Sequence, residues 1–212
     1  MLDLWRRSME KVLKDIKERR DEILKFFIRF LIAFVLGFFI VFFAKEFLVK
    51  QGIISPDTLF KILPKIREYL EPILKFMKRS LVEKIIFIFL NNLRVVAIAG
   101  ILSFVTFGVF SEIVVYVNGI IVGIVVALFS YLPNVSGFKV FVTGILPHGV
   151  FEISALILSL SFAHRLSPTR KGVSEFIPYL RSYIIVIPLL LIAAIIEITI
   201  TPRIMAIPGG IP

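Results

Sequence analysis

The sequence has no cysteine, which removes disulfide frameworks, thiolate metal sites and thiol nucleophiles together. Amides are scarce, with one glutamine and four asparagines, and there are only two histidines. Set beside many isoleucines, glutamates and lysines, this is a composition expected of a thermophile. A glycine-rich phosphate loop, a nucleophile elbow and a zinc-protease helix motif are all missing, so soluble-enzyme chemistry has no foothold. No small-residue cleavage pattern follows the first apolar stretch, which therefore reads as a retained anchor.

Apolar residues are what the chain has in excess. Of 212 residues 58% are hydrophobic, 22 are phenylalanine, and the mean hydropathy is +0.95. One soluble core of this size has no room for so much apolar surface, so most of it faces lipid. A spanning helix needs roughly 20 apolar residues, and the long uncharged runs meet that requirement. The expected fold is all-α, a polytopic integral membrane protein of about five transmembrane helices with amphipathic interfacial helices.

The net charge is +10, from 25 Lys and Arg against 15 Asp and Glu. The basic residues concentrate in residues 1–25 and 45–94, both beside hydrophobic runs, where they meet anionic headgroups and set orientation. No nucleic-acid-binding signature accompanies them, so the lipid bilayer is the expected partner and nucleic acid is not.

Along the chain, Leu4, Trp5, Met9, Leu13, Ile16 and Ile23 recur at helical spacing among charges. This predicts an N-terminal amphipathic helix over 1–25. A first span follows at 26–44, with Arg29 near enough to its end to snorkel. The connecting region 45–84 carries a helical insert at 50–84. Its signals are an N-cap and first turn at Ser55, Pro56 and Asp57, interruptions at Pro64 and Pro72, and a capping box from Ser80 to Glu83. Residues 85–94 read as a re-entrant or interfacial piece, with a spanning helix as the open alternative. The second span is placed at 95–110, the third at 113–130 after a break around Ser111 and Glu112, the fourth at 138–163 and the fifth at 183–201. The membrane domain thus runs over 26–205, and 206–212 is a tail.

Five spans put the termini on opposite sides. A cytoplasmic N-terminus satisfies the positive-inside tendency at the N-terminal cluster and at the loop carrying Arg165, Arg170 and Lys171. The basic connecting region then lies outside, but it is long and mixed with acids, where the tendency loses force. Gly119 and Gly123 form a small-xxx-small pair, and Gly100 and Gly108 lie eight apart on nearly one face, so both pairs are expected at close helix packing. Packing within the chain is the main expectation, and a homodimer face is the alternative.

His148 and Glu152 are four apart in the fourth span and so share a helix face, with Pro147 and Gly149 beside the histidine. Ionisable side chains at membrane depth are costly unless paired or lining a cavity, and for that reason they mark function. Glu197, Glu112, Asn91, Asn92 and Asn118 are the available partners. Three readings stay open: mutual satisfaction that fixes helix register, a divalent metal such as zinc on His148, Glu152 and Glu197, and a relay or transport site for protons or a solute. His164 is expected to be an interfacial residue.

Asn91-Asn92 before a glycine-spaced helix, Asn118-Gly119 with Gly123, Leu146-Pro147-His148-Gly149 with Glu152, and Ala193 to Glu197 with Thr201-Pro202 together resemble the stage II sporulation protein M family. The resemblance covers roughly residues 26–205, and the proline-histidine-glycine segment with its glutamate is its most specific part. It implies a five-span fold with a cytoplasmic N-terminus in the cell membrane, and a polar cluster at His148, Glu152 and Glu197. In sporulating members it implies a scaffold that gathers two peptidoglycan-degrading enzymes at the septal membrane. The family also occurs in organisms that neither sporulate nor make peptidoglycan, and no established catalytic activity comes with it. A non-enzymatic scaffold with membrane or envelope protein partners is the first expectation. A transporter, channel or metal-binding membrane protein is the second.

Overall fold

Long apolar runs form the helices of a computed structural model that describes residues 2–52, 76, 78–130, 136–166 and 172–205. The chain opens with α1 (Leu2–Glu18), a helix with one apolar stripe. A single turn residue, Arg19, separates it from α2 (Arg20–Lys50). After the connecting region come α3 (Leu81–Val105) and α4 (Val109–Phe129). Next, a short turn α5 (Gly137–Val140), a π-helical turn (Phe141–Ile145) and α6 (Leu146–His164) make one continuous rod. A 3-10 turn (Gly172–Glu175) leads into α7 (Phe176–Thr199), which ends on the short α8 (Thr201–Met205). Among the described residues no strand occurs.

Five of these stretches are long and apolar enough to cross a membrane: 20–44, 81–105, 109–129, 137–164 and 176–205. The expected spans sit on them with shifted ends. Residues 85–94 belong to the second of these stretches, because α3 runs unbroken through them from its Ser80 cap. That cap is a complete box, with Ser80 Oγ accepting from Glu83 N–H and the Glu83 carboxylate accepting from Ser80 N–H at 2.8 Å. The break between the second and third spans falls at Thr106–Gly108, before Ser111 and Glu112, both of which lie inside α4. Most of the connecting region, including Ser55, Pro64 and Pro72, and the tail 206–212 lie outside the described residues.

The core draws on every span, with Phe26, Val96, Val115, Leu160, Phe162, Val186 and Leu190 fully buried. Outward faces carry large apolar side chains such as Ile101 at 67% and Phe138 at 76% exposure, the surface a bilayer covers. The most extensive packing is α2 on α4, followed by α6 on α7. Glycines permit the first of these. A Cβ at Gly119 would lie 2.6 Å from the Phe30 carbonyl oxygen, one at Gly123 would overlap the Phe34 carbonyl oxygen, and one at Gly37 would overlap Ile120. Backbones therefore meet where side chains elsewhere keep them apart. Gly100 serves a different neighbour, the Tyr179 hydroxyl end of α7. Gly108, expected on the same helix face, is in the α3–α4 turn with φ +85°, a conformation glycine adopts without steric cost.

Candidate functional site

The rod formed by α5, the π turn and α6 positions the central polar residues. Pro147 lacks the N–H an interior helical residue would donate, and it sits at the start of α6 immediately after the π turn. On the turn packs α8, whose Met205 sulfur would lie 3.3 Å from a Cβ at Gly144. This places Thr201, at the head of α8, beside His148, with Nδ1 and Oγ1 3.3 Å apart. One helical turn on, Glu152 shares the His148 face, and Glu197 approaches from α7. One donor atom from each of His148, Glu152 and Glu197 lies within 4.8 Å of the others, and all three residues are half-buried.

His148 and Glu152 also line a cavity of about 200 Å³ with Asn118, Ile121 and Val125 of α4 and Phe30 of α2. Their face of α6 is thus turned toward neighbouring helices. Asn118 donates one side-chain N–H to the Val114 carbonyl at 2.9 Å and is the amide among the residues lining the cavity. Of the expected partners, then, Glu197 and Asn118 are at this site. Asn91 is exposed on α3 and Asn92 is half-buried on the same helix, and neither lines the cavity.

Glu112 belongs to a second cluster. Its carboxylate is 2.8 Å from Arg29 and 3.6 Å from His164 Nδ1. His164, the last residue of α6, is buried among neighbouring helices: Nδ1 is 3.0 Å from the Gly108 carbonyl oxygen, Nε2 is 3.6 Å from Glu22, and Phe26 meets the ring edge-on. Arg29, expected to snorkel toward headgroups, is spent on Glu112. Beside this cluster, Arg19 is buried in an ion pair with Glu175, 3.8 Å from Asp15 and 4.4 Å above the Phe162 ring. Asp15 also holds Arg181 at 2.7 Å. These contacts fasten α1 to the start of α7 and α2 to α4 and α6. Sequence reasoning missed Arg19, Asp15, Glu175 and Arg181 because each stands in a stretch that reads as ordinary solvated charge. The available signal was the alignment of Val12, Ile16 and Arg19 on one helical stripe.

Gly149 separates the cluster from the apolar wall of α6. A Cβ there would meet only Ile145 at 3.5 Å and Ile153 at 3.8 Å, ordinary contact distances. Gly149→Ala is therefore expected to hold Tm or raise it by roughly 2–4 °C, since alanine gains about 1 kcal/mol over glycine in a helix. Thermal unfolding in detergent checks this, and a marked fall would mean that another molecule needs the space.

The sequence model of the family described as Stage II sporulation protein M matches residues 26–202. The chain is also similar to an uncharacterized protein, MJ0793, of Methanocaldococcus jannaschii. The two are 32% identical over 164 residues, which is 72% of this chain and 86% of the relative. No solved structure matches.

Proposed function

Because the chain belongs to the stage II sporulation protein M family, we propose that it is a non-enzymatic scaffold of the cell membrane, with its N-terminal helix in the cytoplasm, that gathers membrane or envelope proteins. The supporting observation is the way α1 is held. Instead of floating on lipid, it is anchored to α7 through Asp15–Arg181, while Arg19–Glu175 and the buried Val12 fix the turn that follows. Its other side, with Arg6, Arg7, Glu10, Lys11, Lys14 and Glu18, stays exposed. A charged helix carried at a fixed height on a membrane bundle offers a partner a preorganised surface and lowers the ordering cost of docking.

Photo-cross-linking tests this in native membranes, with a photoreactive residue at position 7 or 14 and a control at the lipid-facing position 101. Discrete protein adducts from 7 or 14, absent from 101, are expected. Adducts to lipid alone from all three positions would remove the scaffold reading.

A further inference from the structure

We propose that His148, Glu152 and Glu197 form a binding site for one zinc-class divalent cation at membrane depth, with a coordination position left open toward the cavity beside them. The donors come from two helices, α6 and α7, and already lie within 4.8 Å of one another. Tetrahedral zinc with bonds of about 2.0–2.1 Å holds its donors about 3.3 Å apart, so side-chain torsions close the remaining gap. Imidazole with two carboxylates and no thiolate is a hard-to-borderline set that suits zinc and its neighbours.

The charge balance also points to a cation. Neither Glu152 nor Glu197 forms an ion pair with a basic side chain among the described residues, whereas Glu112 and Glu175 are paired with Arg29 and Arg19. Two carboxylates facing each other inside an apolar bundle can both ionise only with a compensating cation beside them, and a divalent ion cancels the charge of minus two they would then carry. Thr201 supplies the outer support such sites use: with the Nδ1 proton directed at Thr201 Oγ1, the ring is oriented and Nε2 presents its lone pair. Three protein donors leave a position for water, and the cavity of about 200 Å³ next to His148 and Glu152 has room for several, with the Asn118 amide as a polar wall. Structural zinc sites close with four protein donors, whereas this one is of the open kind. The site stands independently of the scaffold reading, since a scaffold needs no metal and a metal site needs no protein partner.

The test uses the full chain in lipid nanodiscs, prepared without chelator, loaded with zinc and dialysed. Elemental analysis is expected to find about one zinc per chain. His148→Gln and the volume-conserving pair Glu152→Gln with Glu197→Gln are expected to lose it while keeping the wild-type elution volume. Cobalt loaded in place of zinc should give a visible spectrum of a low-coordinate site in the wild type and not in the variants. If the acids instead share a proton, the wild type will hold well under half an equivalent of zinc after loading. That result overturns the proposal, as does zinc retained undiminished in the glutamine pair. If the variants fail to fold, the wild-type stoichiometry and cobalt spectrum decide alone.

Discussion

Glu175→Ala should cost about 3 kcal/mol, lowering Tm in detergent by roughly 10 °C. The Arg19 side chain is only 5% exposed, and its Nε has no hydrogen-bond partner even with Glu175 in place. Removing the carboxylate strands a guanidinium whose remaining support is the Asp15 carbonyl at 3.2 Å, the Asp15 carboxylate at 3.8 Å and the Phe162 ring. Asp15 keeps the loss at the low end of the range for a broken buried pair. Arg19→Met combined with Glu175→Leu should recover most of the stability, since an apolar pair of similar volume carries no desolvation cost. A Glu175→Ala protein within about 0.5 kcal/mol of wild type would place the pair in water, where exposed ion pairs are worth little.

The second large effect is expected at Gly123. An alanine Cβ there would overlap the Phe34 carbonyl oxygen and stand 2.8 Å from the Phe38 nitrogen, and backbone has no rotamer by which to yield. Helices α2 and α4 must separate along their longest contact, at a cost of about 3 kcal/mol. The same substitution separates two roles for the glycine pair. If Gly119 and Gly123 pack within the chain, Gly123→Ala lowers Tm and leaves the oligomeric state alone. If they formed a face between two copies, the oligomer would dissociate and the monomer's unfolding would be untouched. Size-exclusion chromatography with light scattering, run beside the thermal melt, reads both quantities.

The spans were legible because lipid imposes a simple length rule on apolar runs, and the capping box at Ser80 announced the start of α3 several residues before hydrophobicity alone would have. The α3–α4 turn was misplaced for a physical reason. Thr106 builds it, accepting from Phe110 N–H at 3.1 Å and donating to the Leu102 carbonyl at 2.7 Å. Phe107 takes a left-handed φ of 57° that aromatic residues rarely adopt. The available signal was Gly108, which reads as a helix-packing glycine, whereas Glu112 is a conspicuous charge and drew the break toward itself.

The candidate site was half legible. His148 and Glu152 share a helix face by spacing, and Glu197 joined them through the metal reading and the family resemblance, with no spacing rule to show that it comes near. What brings it close is the α6–α7 packing, and what orients the histidine is Thr201 across the π turn, both tertiary facts. Helical spacing has no means of pairing Arg29 with Glu112 or seating His164 on Gly108. These contacts join residues far apart in the sequence, His164 with Gly108 at 56 positions and Arg29 on α2 with Glu112 on α4.

A fixed N-terminal helix is the feature on which the platform depends, and the absence of cysteine makes it directly measurable. Spin labels on single cysteines at Lys14 and Ile177, both exposed, report the separation of α1 from the start of α7 in lipid bilayers. One narrow distance population is expected, unchanged by anionic lipid content and broadened when Asp15 and Arg181 are both replaced by alanine. A broad population in the unaltered background that shifts with lipid charge would show α1 resting on the membrane surface, and would contradict the platform.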